Sequence, residues 1–348
     1  MSYEVAVIIP FYNEEENLHR SVESVISQNF SNLHIVLVND ASTDASKEKA
    51  KKLILENPCR KFSLVSHNEN KGLGPSRNSG LDATNAKYVV FLDADDWLKS
   101  DNSITTALDA VLKTEADLGV YNHKLVYENG KEVNNPANKH LQDAIKKLPD
   151  SIEIKISLLK NHHVAWNKIY KRDLLIKAGL YPSGSYEDIP VSYACLFIAK
   201  RIAVIEEPLI CYRQRMGTNS SESQSKPNTV KHFDVFERYD RIFQEADKNQ
   251  VPIELQHEAY RRMILQYVST YHSKGRIGKS DRKRFFSKIK LSLAQYSKFG
   301  TKPETLQEHL IRILIKYNCW KTSYYLFRLH AWSKAVISNF YSRIFRSA

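Results

Sequence analysis

Residues 88–98 read "YVVFLDADDWL", an apolar run that ends in three carboxylates, Asp93, Asp95 and Asp96. The run predicts a buried strand, and one aspartate is ordinary where a strand turns. Three carboxylates this close repel one another unless a cation lies among them. Asp93 and Asp95 are two positions apart, so both can face one cleft and hold Mg²⁺ or Mn²⁺ together with substrate phosphates. Turn capping and a phospho-acceptor pocket are the alternatives, and the length of the chain disfavours the second.

Short apolar runs recur through the first 130 residues, and stretches of helical periodicity separate them. The runs are "VAVIIP" (5–10), "HIVLVND" (34–40), "FSLVSH" (62–67), "YVVFLD" (88–93) and "LGVYNHKLVY" (118–127). This alternation is typical of an α/β fold with a mostly parallel sheet and helices on both faces. Ligands of such sheets bind where the carboxyl ends of the strands meet. The polar clusters "PFYNE", "NDAS", "SHNENKG" and "DADD" are therefore predicted to converge on one edge.

The pattern changes beyond residue 130. We predict a helix within 162–179 that ends at Gly179, a helix at about 188–199 and a strand at 203–213. Residues 214–228 are rich in Ser, Asn and Gly and predict a loop, and the pattern is helical from 229 onward. These features predict one α/β domain at 1–225, with halves at about 1–100 and 101–225, followed by an all-helical basic module at 226–348.

The net charge of +12 is concentrated in that module, because residues 271–348 hold 17 Lys and Arg against three acids. Basic helices interleaved with aromatic residues suit an anionic membrane surface. Plain packing and oligomerisation stay open, and no motif indicates nucleic acid. The four cysteines lack metal or disulfide spacing, and no signal peptide or membrane-length apolar run is present. We expect a cytoplasmic protein docked on the inner face of the cell membrane.

The stretch "NENKGLGPSRNSG" (68–80) carries a lone G-x-G that does not follow the first strand, which disfavours a dinucleotide fingerprint. Its notable residue is Arg77, in the first turn of a helix predicted to begin at about Pro75. Two interpretations are open: a structural salt bridge, or a guanidinium that reaches a diphosphate beside the helix N-terminus.

Several motifs in this order resemble family 2 glycosyltransferases of the GT-A fold, of the bacterial cell-surface polysaccharide type. They are "VAVIIPFYNEEENLHRSVESVISQNF", "VLVNDASTD", "NKGLGPSRNSGL", "YVVFLDADDWL", "AWNKIYKRDLL" and "YEDIPVSY". The resemblance covers roughly residues 3–215. It implies transfer of a sugar from a nucleotide-diphosphate donor with inversion at the anomeric carbon, usually with Mn²⁺ or Mg²⁺.

The resemblance assigns the donor site to the first half of the domain and the acceptor site to the second. Tyr12 is expected to pack on the nucleobase, with Pro10 shaping the pocket and Glu14 near the ribose. Asp40 is expected to accept a hydrogen bond from the uracil edge. Arg77 matches an arginine beside the nucleotide. Asp93 is expected to bind the ribose and share the metal, Asp95 to hold the metal across the phosphates, and Asp96 to be structural.

The inverting reaction also needs a base that deprotonates the acceptor hydroxyl, and "YEDIP" supplies Asp188 with Glu187 beside it. On position alone this pair is only a helix-start acid pair. With the resemblance, Asp188 is the predicted catalytic base.

One departure concerns the metal shell. Arg215 stands where many relatives carry a histidine that completes the shell or touches phosphate. Arg213 and Arg215 can instead neutralise the leaving diphosphate, or His162 or His163 can supply the ligand. Trp166 is predicted either to stack on an acceptor sugar or to belong to the core.

The sequence therefore predicts an inverting, metal-dependent hexosyltransferase that uses a UDP-sugar and a glycan or lipid-linked acceptor in cell-surface polysaccharide synthesis. A nucleotidyltransferase would need a glycine-rich basic loop after the first strand, whereas "PFYNEEE" is acidic. A sugar-nucleotide-binding protein without activity is the other alternative, against which Asp93, Asp95 and Asp188 argue.

Overall fold

The computed structural model of the protein describes residues 4–134, 148, 150–160, 164–214, 229–272 and 277–300. Strands and helices alternate through the first part. The strands are β1 (Val5–Phe11), β2 (Leu33–Asn39), β3 (Lys61–Ser66), β4 (Tyr88–Phe91), β5 (Trp97–Leu98), β6 (Leu118–Tyr127), β7 (Glu132–Asn134), β8 (Lys168–Lys171) and β9 (Ile202–Gln214). The helices are α1 (Leu18–Ile26), α2 (Ser46–Glu56), α3 (Leu73–Asp82), α4 (Ser103–Lys113), α5 (Ile152–Leu159), α6 (Arg172–Ala178), α7 (Asp188–Ile198), α8 (Thr229–Lys248), α9 (Ile253–His272) and α10 (Arg282–Gln295).

The strands of the described ranges form one sheet in the order β3-β2-β1-β4-β8-β6-β9-β5, and β7 pairs with β6. The half made of β3, β2, β1 and β4 is parallel throughout. The other half is mixed, because β8 runs antiparallel to both β4 and β6, whereas β6 and β9 are parallel. The predicted α/β class is confirmed, and every antiparallel pairing of the described sheet involves β5, β7 or β8.

Helices cover both faces of the sheet, which is why β1 and β2 are buried along their whole length. Successive side chains of a strand point to opposite faces. Ile8 of β1 accordingly packs in the core that includes Leu81 of α3, whereas Ile9 packs in the core that includes Val22 of α1 and Leu53 of α2. The parallel half is thus a layered α/β unit whose strand ends all open on one edge.

The helix predicted within residues 162–179 was partly wrong, since residues 168–171 form β8 and α6 begins only at Arg172. Ile169 and Tyr170 are fully buried between β4 and β6, and this packing overrides the helical periodicity of the surrounding sequence. The predicted end of the helix is confirmed, because Gly179 follows α6 with φ 86°.

The helices after residue 229 share a core with the α/β unit. Tyr193 of α7 lies edge-on to Tyr239 of α8, with ring centroids 6.3 Å apart, and Phe285 of α10 belongs to the same cluster as Ile8. The predicted boundary at 225/226 lies outside the described residues and stays a prediction. No helix among the described residues is long and apolar enough to cross a membrane.

Candidate functional site

The polar clusters that follow β1 to β4 lie at one edge, because these strands are parallel neighbours. Asp40, directly after β2, is buried and ties this edge together. Its Oδ1 accepts from Lys71 N at 2.9 Å and pairs with His67 Nδ1 at 2.7 Å, and its Oδ2 accepts from Gly72 N at 2.8 Å. Asp40 thus fixes the loop that leads into α3, and its predicted contact with a uracil edge stays a prediction.

The "PFYNE" segment extends β1 into the same edge. Pro10 is buried within the strand, whereas Tyr12 is 44% exposed, and its packing on a nucleobase stays a prediction. Glu14 Oε2 accepts from Asn17 Nδ2 at 2.7 Å, and Arg213 of β9 donates from Nη1 to Asn17 Oδ1. Arg213 therefore contacts the segment that follows β1, and its predicted role beside the donor diphosphate stays a prediction.

Arg77 lies at the centre of the site with its side chain 2% exposed. Its Nη2 is 3.1 Å from Asp93 Oδ1, and its Nη1 is 2.9 Å from Glu187 Oε1. Arg77 thus forms a structural salt bridge, one of its two predicted interpretations. It lies in the second turn of α3, whereas the sequence predicted the first turn. A direct contact with a diphosphate stays a prediction. Burial raises the pKa of Asp93 above its ordinary value, against the lowering effect of Arg77.

The three acids of the opening stretch have different surroundings. Asp96 is fully buried, and its Oδ1 accepts from Arg213 N at 2.8 Å while its own N donates to Asp93 O at 3.0 Å. Through these two hydrogen bonds Asp96 acts as a structural clamp, because it joins the turn after β4 to Arg213 of β9. Asp95 is half-buried, and its negative charge contributes to the raised pKa of Asp93.

Asp188 is the first residue of α7, directly after Glu187. Burial raises its pKa to about 6, while the positive charges of Arg77 and Lys168 oppose that rise. Lys168 of β8 is fully buried, and its Nζ donates to Val164 O at 2.6 Å and to Asn167 Oδ1 at 2.7 Å. Burial lowers the pKa of Lys168 to about 7. A carboxyl with a pKa near 6 is tuned toward general-base work at neutral pH.

Trp166 packs in the core. It is 7% exposed, stacks on Tyr212 with ring centroids 4.9 Å apart, and makes a T-shaped contact with His123 with ring centroids 4.7 Å apart. This packing favours the core interpretation, and the contact with an acceptor sugar stays a prediction. Arg215, His162 and His163 lie outside the described residues.

The carboxylates after β4 are the candidate ligands for a metal ion. The described ranges contain no group of three or more His, Cys, Asp or Glu side chains that could hold an ion. Asp93 and Asp95 at the strand end nevertheless fit a cation of the Mg²⁺ type, which binds through one or two carboxylates and takes its other ligands from water and substrate phosphates.

Two residues with clear structural roles were not singled out from the sequence. Asn78, next to Arg77, donates from Nδ2 to Tyr181 O and accepts from Tyr181 N, both at 2.8 Å. Lys168 supplies the buried positive charge that acts on Asp188. Asn78 lies within "PSRNSG" and Lys168 within "AWNK". For Lys168, the available signal in the sequence was a lysine in an apolar context.

Solved structures are similar to this fold. TarS from S. aureus, crystallised with UDP-GlcNAc, superposes with a TM-score of 0.71 over 94% of this chain and 92% of that chain, at 18% identity. At this identity the likeness shows the fold alone.

Curated relatives are similar in sequence. Glycosyltransferase GlyA of Streptococcus pneumoniae is 29% identical over 62% of this chain, which spans only 31% of GlyA's length. The glucosyltransferase WfgD of Escherichia coli is 26% identical over 67% of this chain and 89% of its own. The model of the family described as "Glycosyl transferase family 2" matches residues 6–177. The chain therefore contains a glycosyl transferase family 2 domain at residues 6–177.

Proposed function

We propose that the protein is an inverting glycosyltransferase that moves a sugar from a UDP-sugar to the hydroxyl of a glycan or a lipid-linked acceptor in cell-surface polysaccharide synthesis. One observation carries the proposal: Arg77 joins Asp93, at the donor end of β4, to Glu187, the residue before Asp188. Donor-binding acids and a base candidate therefore meet at one buried guanidinium.

Asp188 is the base in this proposal. Its carboxylate takes the proton of the acceptor hydroxyl, the hydroxyl oxygen bonds to the anomeric carbon, and the bond from that carbon to the diphosphate breaks on the opposite face. Burial holds the pKa of Asp188 at about 6, so the carboxylate is mostly ionised at pH 7 and is a stronger base than an exposed aspartate.

Tyr12, Pro10, Glu14 and Asp40 form the nucleoside side of the proposed donor site. Arg213 lies beside them through Asn17 and brings a positive charge toward the place where the leaving diphosphate accumulates negative charge. Arg215 belongs to the same proposal by its position two residues later. Mn²⁺ or Mg²⁺, held by Asp95 and Asp93, would neutralise the diphosphate when bound.

The proposed donor and acceptor classes are supported by the relatives. TarS was crystallised with UDP-GlcNAc, and WfgD is named as a UDP-Glc:alpha-D-GlcNAc-diphosphoundecaprenol beta-1,3-glucosyltransferase. A panel of nucleotide-sugars and acceptors can identify the donor sugar and the acceptor that this chain uses.

Peripheral docking on the inner face of the cell membrane belongs to the same proposal. The exposed face of α10 carries basic side chains and no acid: Arg282, Lys283, Arg284, Lys288 and Lys290. Leu291, beside them, is 68% exposed. Each cation near an anionic lipid surface adds about 1 kcal/mol to binding. A lipid-linked acceptor would be presented at that surface.

A panel of nucleotide-sugars tests the function. We expect thermal stabilisation by a UDP-sugar, stronger with Mn²⁺ or Mg²⁺, together with UDP release once an acceptor is added. Stabilisation without any turnover, over a panel of glycan and undecaprenyl-diphosphate acceptors, would indicate a binding protein instead. No response to any nucleotide-sugar would reject the proposal.

A further inference from the structure

Residues 180–187 lead from α6 to Asp188, the first residue of α7. On one side lies α3, where a Cβ on Gly74 would meet Pro182 O at 2.0 Å, so the two backbones approach more closely than any side chain allows. Asn78 of α3 pairs with both backbone groups of Tyr181. On this side the segment is held by the donor half of the domain.

On the other side lies α8, whose polar side chains hydrogen-bond to the backbone of the same segment. Ser185 N donates to Asp234 Oδ2 at 2.8 Å, and Arg238 donates from Nε to Ser185 O at 3.1 Å and from Nη2 to Ser183 O at 2.5 Å. Gly184 has φ +86°, and a Cβ there would meet Asp234 Oδ2 at 2.4 Å. Only glycine fits this approach without strain.

Hydrogen bonds to α8 are present at both ends of the segment. Arg241 of α8 donates from Nη1 to Leu180 O at 2.6 Å. Tyr186, the residue before the acid pair, has φ 59°, a conformation that few non-glycine residues adopt. Its hydroxyl lies 2.7 Å from Nδ1 of His232, a buried residue of α8. This contact helps to hold the unusual backbone from which Glu187 and Asp188 follow.

We propose that α8 positions the catalytic base: Asp234 and Arg238, assisted by His232, are positioning residues that fix the direction in which Asp188 enters the site. The inference rests on the proposed function, because it takes Asp188 as the base. It also gives the C-terminal helices a role in turnover, although none of these three side chains touches the acid pair in the described contacts.

The physical reason lies in how strongly proton transfer depends on geometry. A base must come within about 3 Å of the proton that it takes, and a misplacement of about 1 Å can cost about 10²-fold in rate. Asp188 is the first residue of its helix, so the path of residues 183–187 determines where its carboxylate lies. Most of the proposed donor-binding residues follow β1, β2 and β4, so UDP binding is expected to change much less than kcat.

The test uses the full chain with the nucleotide-sugar and acceptor that turn over in the panel above. We expect Asp234→Ala and Arg238→Met to lower kcat by about 10- to 100-fold while the Kd for UDP stays within about twofold. Asp234→Asn keeps an acceptor for Ser185 N and should retain most of kcat, whereas Tyr186→Phe should lower kcat by about 2- to 10-fold. A purely structural role would not separate Asn from Ala in this way.

Lys248→Ala is the matched control, because Lys248 of α8 is exposed, pairs with Glu245 and lies far along the helix from Arg238, so its loss should leave kcat unchanged. If Arg238→Met does not fold, Asp234→Ala and Tyr186→Phe carry the test. Unchanged kcat in these variants, or equal losses for Asp234→Asn and Asp234→Ala, overturns the inference. Full turnover of Asp188→Asn would instead reject the proposed base, so the two failures are distinguishable.

Discussion

Arg77 Nη1 lies 2.9 Å from Glu187 Oε1, and this contact joins two residues that are 110 positions apart in the chain. The other end of the guanidinium contacts Asp93. Because Glu187 precedes the proposed base and Asp93 belongs to the proposed donor site, one buried cation links the two halves of the proposed reaction.

Arg77→Met should strongly destabilise the fold. The substitution leaves Asp93 and Glu187 without their common partner in a buried place, and breaking such a pair costs about 3 kcal/mol or more. Arg201→Met is the matched control, because Arg201 and Glu115 form an exposed pair that contributes at most about 1 kcal/mol. Urea unfolding of both variants measures the difference, and equal small losses would contradict the buried role of Arg77.

Asp95 and Asp96 should respond differently to the same change. Asp96→Asn weakens the clamp on Arg213 N and should lower the free energy of unfolding by about 1 to 3 kcal/mol. Asp95→Asn should leave stability nearly unchanged and weaken the dependence of UDP-sugar binding on Mn²⁺. Thermal unfolding and calorimetry with and without Mn²⁺ separate the two. If Asp96→Asn weakened the Mn²⁺ dependence of binding and Asp95→Asn lowered the stability, the metal contact would lie on Asp96.

The pH profile should report Asp188. Its pKa is raised to about 6, and the base works only when ionised, so kcat/KM should fall as the pH drops below about 6. An exposed aspartate would keep its activity to about pH 4. Activity that stays constant down to about pH 4.5, with the protein still folded, would contradict the assignment.

Lys168→Met should shift that profile. The positive charge of Lys168 lowers the pKa of Asp188, so its removal lets that pKa rise and moves the acid limb of kcat/KM to higher pH. Lys155→Met is a control, because Lys155 is a partly buried lysine whose Nζ donates to Phe197 O. An unmoved limb in Lys168→Met would show that the two groups do not interact.

Membrane docking predicts a charge-dependent interaction of α10. Replacing Lys283, Arg284 and Lys288 by Gln should reduce flotation of the full chain with vesicles that contain phosphatidylglycerol, and salt should weaken the binding of the wild type. The same change at Lys47, Lys51 and Lys52 of α2 is the control. Equal losses for both triple variants would reject a specific docking face.

The strand-end chemistry was predictable because parallel strands impose it. Once the apolar runs are taken as neighbouring parallel strands, the acids after β2 and β4 have to share an edge, and the structure confirms this arrangement. The burial of Asp96 also agrees with the structural role expected for it. These inferences needed only the local pattern of apolar runs and the rule that the carboxyl ends of parallel strands share one edge of the sheet.

Long-range packing was harder to predict from the sequence. Strand β8 has a helical periodicity in its flanks and becomes a strand only because β4 and β6 receive it on both sides. Asp234 and Arg238 are four positions apart on a helix, which in a sequence indicates an ordinary surface pair. Their main partners lie about 50 residues away, in the segment before Asp188, and no local signal identifies such partners.

The most direct test of the account compares Asp188→Asn with the wild type in two measurements on the same preparation. We expect the Asp188→Asn variant to bind the UDP-sugar with a Kd within about twofold of the wild type, and to transfer sugar about 10²- to 10⁴-fold more slowly. Unchanged donor binding with wild-type turnover would show that Asp188 is not the base.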